Sequence, residues 1–275
     1  MRYTDLKYAV VGAGKLGLGI IKALLRAEIP RHNIIATVKS LESLERLRKT
    51  LRDIKITKNN VEAVGESDVI FLCVKPLQAI SVLKELKSVL NHNKLLISTV
   101  AGLSLQIINR VVSARIARLM TNIGLYEGIA VTVFTPGSGV TDSDVETVRE
   151  IFSRNGKFYI VNEDLMNQLT VSIGSLPAHI ALMIESLIES NILIGIPQDL
   201  SKSITLDIIQ ETVELYRRGY NYEKLRELIA TPGGVTITGL YLARKYRLPY
   251  SIMKMIKSSY IKVLEIYKKL SSIEL

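Results

Sequence analysis

The residues Thr231-Pro232-Gly233-Gly234-Val235-Thr236 place a tight turn, two adjacent glycines and a hydroxyl directly before a helical pattern. Glycines let a backbone approach a ligand with no Cβ in the way. The first N–H groups of a helix have no partner within it, so they face an anion such as a carboxylate. Thr236 adds a hydroxyl that both donates and accepts. Thr231, Gly233, Gly234, Val235 and Thr236 therefore form a candidate site for a small amino-acid-like substrate, with Thr236 as the candidate catalytic residue. An ordinary helix start also carries Pro and Thr, so the segment gains meaning only beside a second feature.

That feature is Gly12-Ala13-Gly14-Lys15-Leu16-Gly17. The apolar run Lys7–Val11 precedes it, and Leu18, Ile21, Leu24 and Leu25 follow at helical spacing. Glycines at a strand-to-helix junction suit a dinucleotide: Gly12 for the turn, Gly14 for approach of the pyrophosphate, Gly17 for helix packing. A purely structural glycine loop is the alternative. The second strand ends Thr37-Val38-Lys39-Ser40. A cation and a hydroxyl stand where an NAD site usually carries an acid, which favours NADP(H) over NAD(H). Lys75 follows another strand end and is placed to meet cofactor phosphates or substrate.

Between these ends the chain carries Asp68-Val69-Ile70-Phe71-Leu72-Cys73-Val74-Lys75-Pro76, Ile97-Ser98-Thr99-Val100-Ala101-Gly102-Leu103-Ser104 and Gly174-Ser175-Leu176-Pro177-Ala178. In order and spacing, over nearly the whole length, these resemble the pyrroline-5-carboxylate reductase family. The resemblance implies NADPH- or NADH-dependent reduction of a cyclic imine to proline. It also implies cofactor contacts from Val74, Lys75, Pro76, Ala101, Gly102 and Asn122, substrate contact from Ser175, and a dimer, assembled further in some members. The chain departs from the family at Met120-Thr121-Asn122-Ile123-Gly124, where Met-Pro-Asn-Thr-Pro is usual, and at Leu176 and His179. Two other readings stay open: a related NADP-dependent reductase of another imine or keto acid, and a dinucleotide-binding homologue without turnover.

The expected mechanism lays the pyrophosphate on Gly12–Gly17. The nicotinamide reaches toward the second domain, that of the partner subunit, and the substrate carboxylate rests on the amides of Gly234, Val235 and Thr236. The imine enters protonated, and Thr236 orients its nitrogen. Positioning and fixed dipoles supply most of the rate.

The elements that must hold these residues divide near residue 163. Strand patterns at Lys7–Val11, Ile34–Val38, Ile54–Ile56, Val69–Val74, Lys94–Ser98, Arg115–Leu119, Ile129–Phe134 and Lys157–Val161 alternate with helical ones at Leu16–Ala27, Leu41–Leu51, Pro76–Leu90, Leu103–Val111 and Asp142–Arg154. Alternation of this kind predicts an α/β fold, a doubly wound Rossmann-type sheet over residues 1–162, with the last strands free to pair antiparallel. Residues 163–275 carry no strand signal and read as an all-α domain for substrate binding and dimerisation. Ala178–Ile194 is apolar around most of its circumference and needs cover on several sides. A second copy supplies that cover, so a homodimer is expected, a self-contained bundle being the alternative.

Composition bounds the rest. The 275 residues suffice for one large or two smaller cores, and 48% are hydrophobic. The net charge of +10 is spread over helices without aromatic interleaving, so no nucleic-acid partner is expected. No membrane partner is expected either: Leu165–Ile184 lacks charges but contains Asn167, Gln168, Pro177 and His179. His32, His92 and His179 show no metal spacing, and no metal is expected. His179 stands next to the substrate-side motif, or is a partly buried helix residue. Cys73, the only cysteine, falls within a strand pattern and reads as an inert core thiol. One cysteine and a start that leads straight into a strand point to a cytoplasmic protein.

Overall fold

A computed structural model describes residues 2–273. Eight strands form one sheet in the order β3-β2-β1-β4-β5-β6-β7-β8. They are β1 (Tyr8–Val11), β2 (Ile34–Thr37), β3 (Lys55–Thr57), β4 (Val69–Leu72), β5 (Leu95–Ser98), β6 (Arg115–Met120), β7 (Ala130–Pro136) and β8 (Gly156–Ile160). Every residue of β1, β2, β4 and β5 is buried. Short unbroken apolar runs produce this pattern, because a parallel sheet is covered on both faces.

Alternation along β1 decides which helix covers which face. Tyr8 and Val10 point to a core with Ile20, Ile21 and Leu24 of α1 (Lys15–Arg26). Phe71 meets Phe152 of α6 (Asp142–Ser153) edge to face in the same core, ring centroids 6.0 Å apart. Ala9 and Val11 point to the other face, onto Ile80 and Leu83 of α4 (Pro76–Leu86) and Ile107 and Ile108 of α5 (Leu105–Asn109). The sheet is thus doubly wound, and the chain reverses direction across it between β1 and β4.

Three details differ from expectation. Asn60–Gly65 forms a short helix, α3, capped by Asn59, whose side chain accepts from the Glu62 N–H; six residues are too few to show a helical period. Of the late strands, only β6 and β7 pair antiparallel, whereas β7 and β8 are parallel and joined by α6. The helices after β4 and β5 are shorter than their apolar patterns: α5 starts only after Ser104, which caps it by accepting from the Ile107 N–H.

After Ile160 the described chain is helical: α7 (Met166–Leu169), a π-helical stretch (Thr170–Ser175), α8 (Leu176–Leu193), α9 (Gln198–Arg217), α10 (Tyr222–Ile229), α11 (Val235–Lys245) and α12 (Leu248–Ser271). Two compact units result, 1–175 with 259–275, and 176–258. Residues 163–175 and the end of α12 therefore pack with the sheet rather than with the helices. Ile266, Tyr267 and Leu270 join the core on the α4–α5 face.

In the second unit, α8 and α9 form a hairpin through Gly195, which adopts a φ of +100°. Small polar residues let the two helices approach. Ser201 donates to the Ile188 carbonyl at 2.8 Å, and Asn191 to the Thr205 hydroxyl at 3.0 Å. Ile188 is the one buried residue of α8.

Candidate active site

The loop between β1 and α1 is shaped by its glycines. Gly12 has a φ of +90°, and a Cβ there would press on the Cys73 carbonyl and the Val74 side chain. The Gly12 and Ala13 N–H groups bond to Thr37 of β2, through its hydroxyl at 3.1 Å and its carbonyl at 2.7 Å. Gly17 lies against Gly12, and a Cβ on it would collide with the Gly12 carbonyl oxygen. The missing Cβ is what lets the helix pack on the loop. A Cβ on Gly14, by contrast, would meet nothing within 4 Å. No side chain caps α1 at Gly14, so the N–H groups of Lys15, Leu16 and Gly17 are left at the positive end of the helix. An open approach over Gly14 onto uncapped amides fits a dinucleotide pyrophosphate.

A cavity of about 730 Å³ opens beside this turn. Gly14, Lys15 and Leu16 form one wall, and Val74, Lys75 and Pro76 at the end of β4 form the next. Ala101, Asn122 and Ser175, also expected from sequence, line it as well. It therefore sits at the switch point of the sheet, where open α/β folds bind ligands. The walls also carry residues that sequence reading did not assign: Cys73, Thr99, Met120, Tyr126, Thr170 and Gly174. Thr170 and Gly174 reach the wall through the π-helical stretch, a distortion that often marks functional sites. Thr121 and Ile123 stand here too. The Thr121 hydroxyl, buried beneath the wall, pairs with the Thr132 hydroxyl of β7 at 2.8 Å, which satisfies both. The Asn122 side-chain carbonyl accepts from the Gly124 N–H at 3.0 Å and starts a 3-10 turn, Ile123–Tyr126.

Gly102 is a correction. It has a φ of +71°, and its Cβ position faces Ile266 and the Tyr267 backbone of α12 instead of the cavity. Its task is close packing. Cys73 is another: β4 ends at Leu72, and Cys73 stands just beyond it on two cavity walls. Surrounding protein nevertheless pushes its thiol up to about 12, burial outweighing a hydrogen bond with Thr99.

A second cavity, of about 260 Å³, continues past Gly12, Ala13 and Gly14 to Lys39 and Ser40. Ser40 caps α2 (Leu41–Thr50), accepting from the Ser43 N–H at 3.1 Å. Ser43 and Arg46 line this cavity as well. Sequence reading gave Arg46 no role beyond the charge spread over the helices; the overlooked signal is its spacing, one turn beyond Ser43 and so on the same side of α2. Lys39 and Arg46 are exposed and make no salt bridge among the described residues. Two free cations and two hydroxyls suit a phosphate monoester.

The second unit holds the other predicted group. The Gly234 N–H donates to the Thr231 carbonyl at 2.9 Å, Pro232 follows Thr231, and Gly233 has a φ of +69°. This is a type II turn, with Pro and Gly where that turn requires them. The Gly234 amide is consumed by the turn, contrary to its expected part in a carboxylate cradle. The uncapped donors at the start of α11 are those of Val235, Thr236 and Ile237. The Thr236 hydroxyl makes no hydrogen bond among the described residues. His179 lines an apolar groove of about 480 Å³ between α8 and the start of α12, with Leu182, Met183 and Ile252.

A family model described as NADP oxidoreductase, coenzyme F420-dependent, matches residues 7–102. One described as pyrroline-5-carboxylate reductase dimerisation matches residues 163–266. The chain is 29% identical to a Corynebacterium melassecola pyrroline-5-carboxylate reductase, over 84% of this chain and 88% of that protein. It is 28% identical to the Synechocystis enzyme of the same name, over 96% of this chain and 100% of that protein. Among solved structures, Plasmodium falciparum pyrroline carboxylate reductase with NADP bound superposes with a TM-score of 0.87 at 27% identity, covering 96% of this chain and 99% of that one. The Streptococcus pyogenes enzyme gives 0.81 at 26% identity, over 94% and 98%. With both parts matched in order, and with relatives of one name spanning nearly all of it, the chain belongs to the pyrroline-5-carboxylate reductase family.

Proposed function

We propose that this protein reduces 1-pyrroline-5-carboxylate to L-proline with NADPH as the reductant. One observation carries the reading: each unit presents an uncapped helix start reached through glycines, α1 over the large cavity and α11 behind the Thr231–Gly234 turn. One suits a pyrophosphate, the other a carboxylate. Relatives across the length of the chain carry the name of this activity, and one of them holds NADP.

NADPH, when bound, supplies the hydride that adds to the imine carbon. Lys15, Leu16 and Gly17 hold the pyrophosphate through their amides. Lys39, Ser40, Ser43 and Arg46 hold the 2′-phosphate. Val74, Lys75, Pro76, Ala101 and Asn122 wall the nicotinamide end, and Ser175 offers a hydroxyl on the substrate side. Val235, Thr236 and Ile237 hold the substrate carboxylate. The ring nitrogen enters as the iminium, and its N–H donates to the Thr236 hydroxyl oxygen. As hydride adds to carbon, the π pair moves to nitrogen and cancels its charge. The nitrogen keeps its proton, so no side chain has to act as an acid. Thr236 acts by orientation and by its dipole.

The chain works as a homodimer in this reading. Leu182, Leu187 and Leu193 of α8 are 63%, 51% and 87% exposed. Glu163–Leu193 also passes for a membrane span by length and composition. Cover by a second copy accounts for the same apolar surface and agrees with the dimerisation family matched there. A cytoplasmic location accompanies the reading, on the reducing compartment that one unpaired cysteine suits.

Incubation with NADPH and 1-pyrroline-5-carboxylate, followed by chiral chromatography, tests the reaction. L-proline is the expected product, and its absence overturns the reading. A second reading, reduction of a larger or more apolar cyclic imine, is favoured by Ile123, a 63% exposed apolar side chain on the cavity wall.

A further inference from the structure

One face of α1 is engaged along its length by the Ile123–Tyr126 turn. Lys15, Gly19, Lys22 and Arg26 are spaced three or four residues apart and so form a single row. The Tyr126 hydroxyl donates to the Lys15 carbonyl at 2.7 Å. Its ring covers Gly19, where a Cβ would stand 3.4 Å from Cε2, and the Lys22 ammonium lies 4.5 Å from the ring centroid. Arg26 donates to the Leu125 and Tyr126 carbonyls, both at 3.0 Å, and to Asn155 Oδ1 at 2.8 Å. Arg26 holds the turn at one end, and the Tyr126 hydroxyl is the contact at the end that borders the cavity.

The bond at Lys15 bears on ligand binding because of peptide geometry. The Lys15 carbonyl and the Leu16 N–H belong to one rigid plane. A donor fixed on that carbonyl fixes the direction of the N–H across the plane. It also draws charge from the oxygen, which makes the N–H a stronger donor. The Leu16 N–H is one of the uncapped amides of α1, and Leu16, Lys15 and Tyr126 line the same cavity. Partial burial raises the Tyr126 phenol above its usual range, so it stays a donor at neutral pH.

We propose that Tyr126 is a positioning residue for the dinucleotide: its hydroxyl orients the Lys15–Leu16 peptide so that the Leu16 N–H meets the pyrophosphate. The proposal rests on the reading of the α1 start as the pyrophosphate cradle. It assigns affinity to a side chain outside the glycine motif.

The test is Tyr126→Phe in the full chain, which keeps the ring and the Arg26 contacts and removes only the hydroxyl. Calorimetric titration with NADPH and with 2′-AMP, which lacks the pyrophosphate, separates the effects. The expected result is an NADPH Kd raised about two- to tenfold, with the 2′-AMP Kd and the thermal midpoint unchanged. An unchanged NADPH Kd overturns the proposal. Equal weakening of both probes overturns it as well, because it makes the hydroxyl a staple of the whole domain. If the parent protein binds neither probe, the cradle reading itself fails, and the proposal with it.

Discussion

Among the described residues the Thr236 hydroxyl has no hydrogen-bond partner, and it stands beside amides that no side chain caps, so in the proposed reaction it is open to the substrate nitrogen. Thr236→Ala should lower kcat about ten- to a hundredfold, the loss of one hydrogen bond to a charged group. Thr236→Ser should retain most turnover, and NADPH affinity should hold in both; steady-state kinetics with direct NADPH titration checks this. Lys39 and Arg46 make the opposite case, since the proposal has them act on the cofactor alone. Lys39→Asp or Arg46→Ala should raise KM for NADPH far more than KM for NADH, which lacks the 2′-phosphate. Equal effects on both cofactors would remove these residues from phosphate recognition. Cys73 has its thiol pushed up to about 12, above the usual thiol range. Alkylation needs the thiolate. At pH 8 the native chain should therefore react with iodoacetamide more than about tenfold slower than the unfolded chain, read by mass spectrometry.

The turn from β1 into α1 is the element on which the proposed cofactor binding depends, and its tightest point is Gly17 against the Gly12 carbonyl. Gly17→Ala should separate helix from loop, cost about 1–3 kcal/mol of stability as an overpacked contact, and weaken NADPH as well. Thermal unfolding and cofactor titration should move together, whereas a thermal midpoint equal to the parent's would refute the contact. The glycines of this turn were legible because each conformational demand leaves a residue type at a fixed offset. The same held for β1, β2, β4 and β5, whose buried apolar runs are set off by turn residues. Gly102 was misassigned because a positive φ looks the same in sequence whether the backbone approaches a ligand or, as here, α12. Arg46 and Tyr126 were passed over because their neighbours in space, Lys39 and Lys15, come from other turns of the chain. Sequence also over-extended α4 and α5, since apolar residues continue into the loops that pack beneath the sheet.

Exposed leucines along α8 set the behaviour of the molecule as a whole, because a helix with Ile188 as its one buried residue is incomplete in a single chain. Light scattering should give at least twice the monomer mass, and Leu187→Glu should shift the protein toward monomer by placing a charge in the apolar contact. An unaltered protein that scatters as a monomer would contradict the homodimer. The proposed division of labour between the units makes a sharper demand: in it the cavity at the sheet's switch point serves a dinucleotide, and the α11 start serves a substrate that carries both a carboxylate and an imine nitrogen. The most direct measurement follows NADPH oxidation with 1-pyrroline-5-carboxylate, piperideine-carboxylate and simple keto acids at matched concentrations. The account predicts the highest kcat/KM for 1-pyrroline-5-carboxylate, and turnover with NADPH exceeding that with NADH. Oxidation of NADPH by a keto acid in preference to either imine, or by none of the panel, would contradict it.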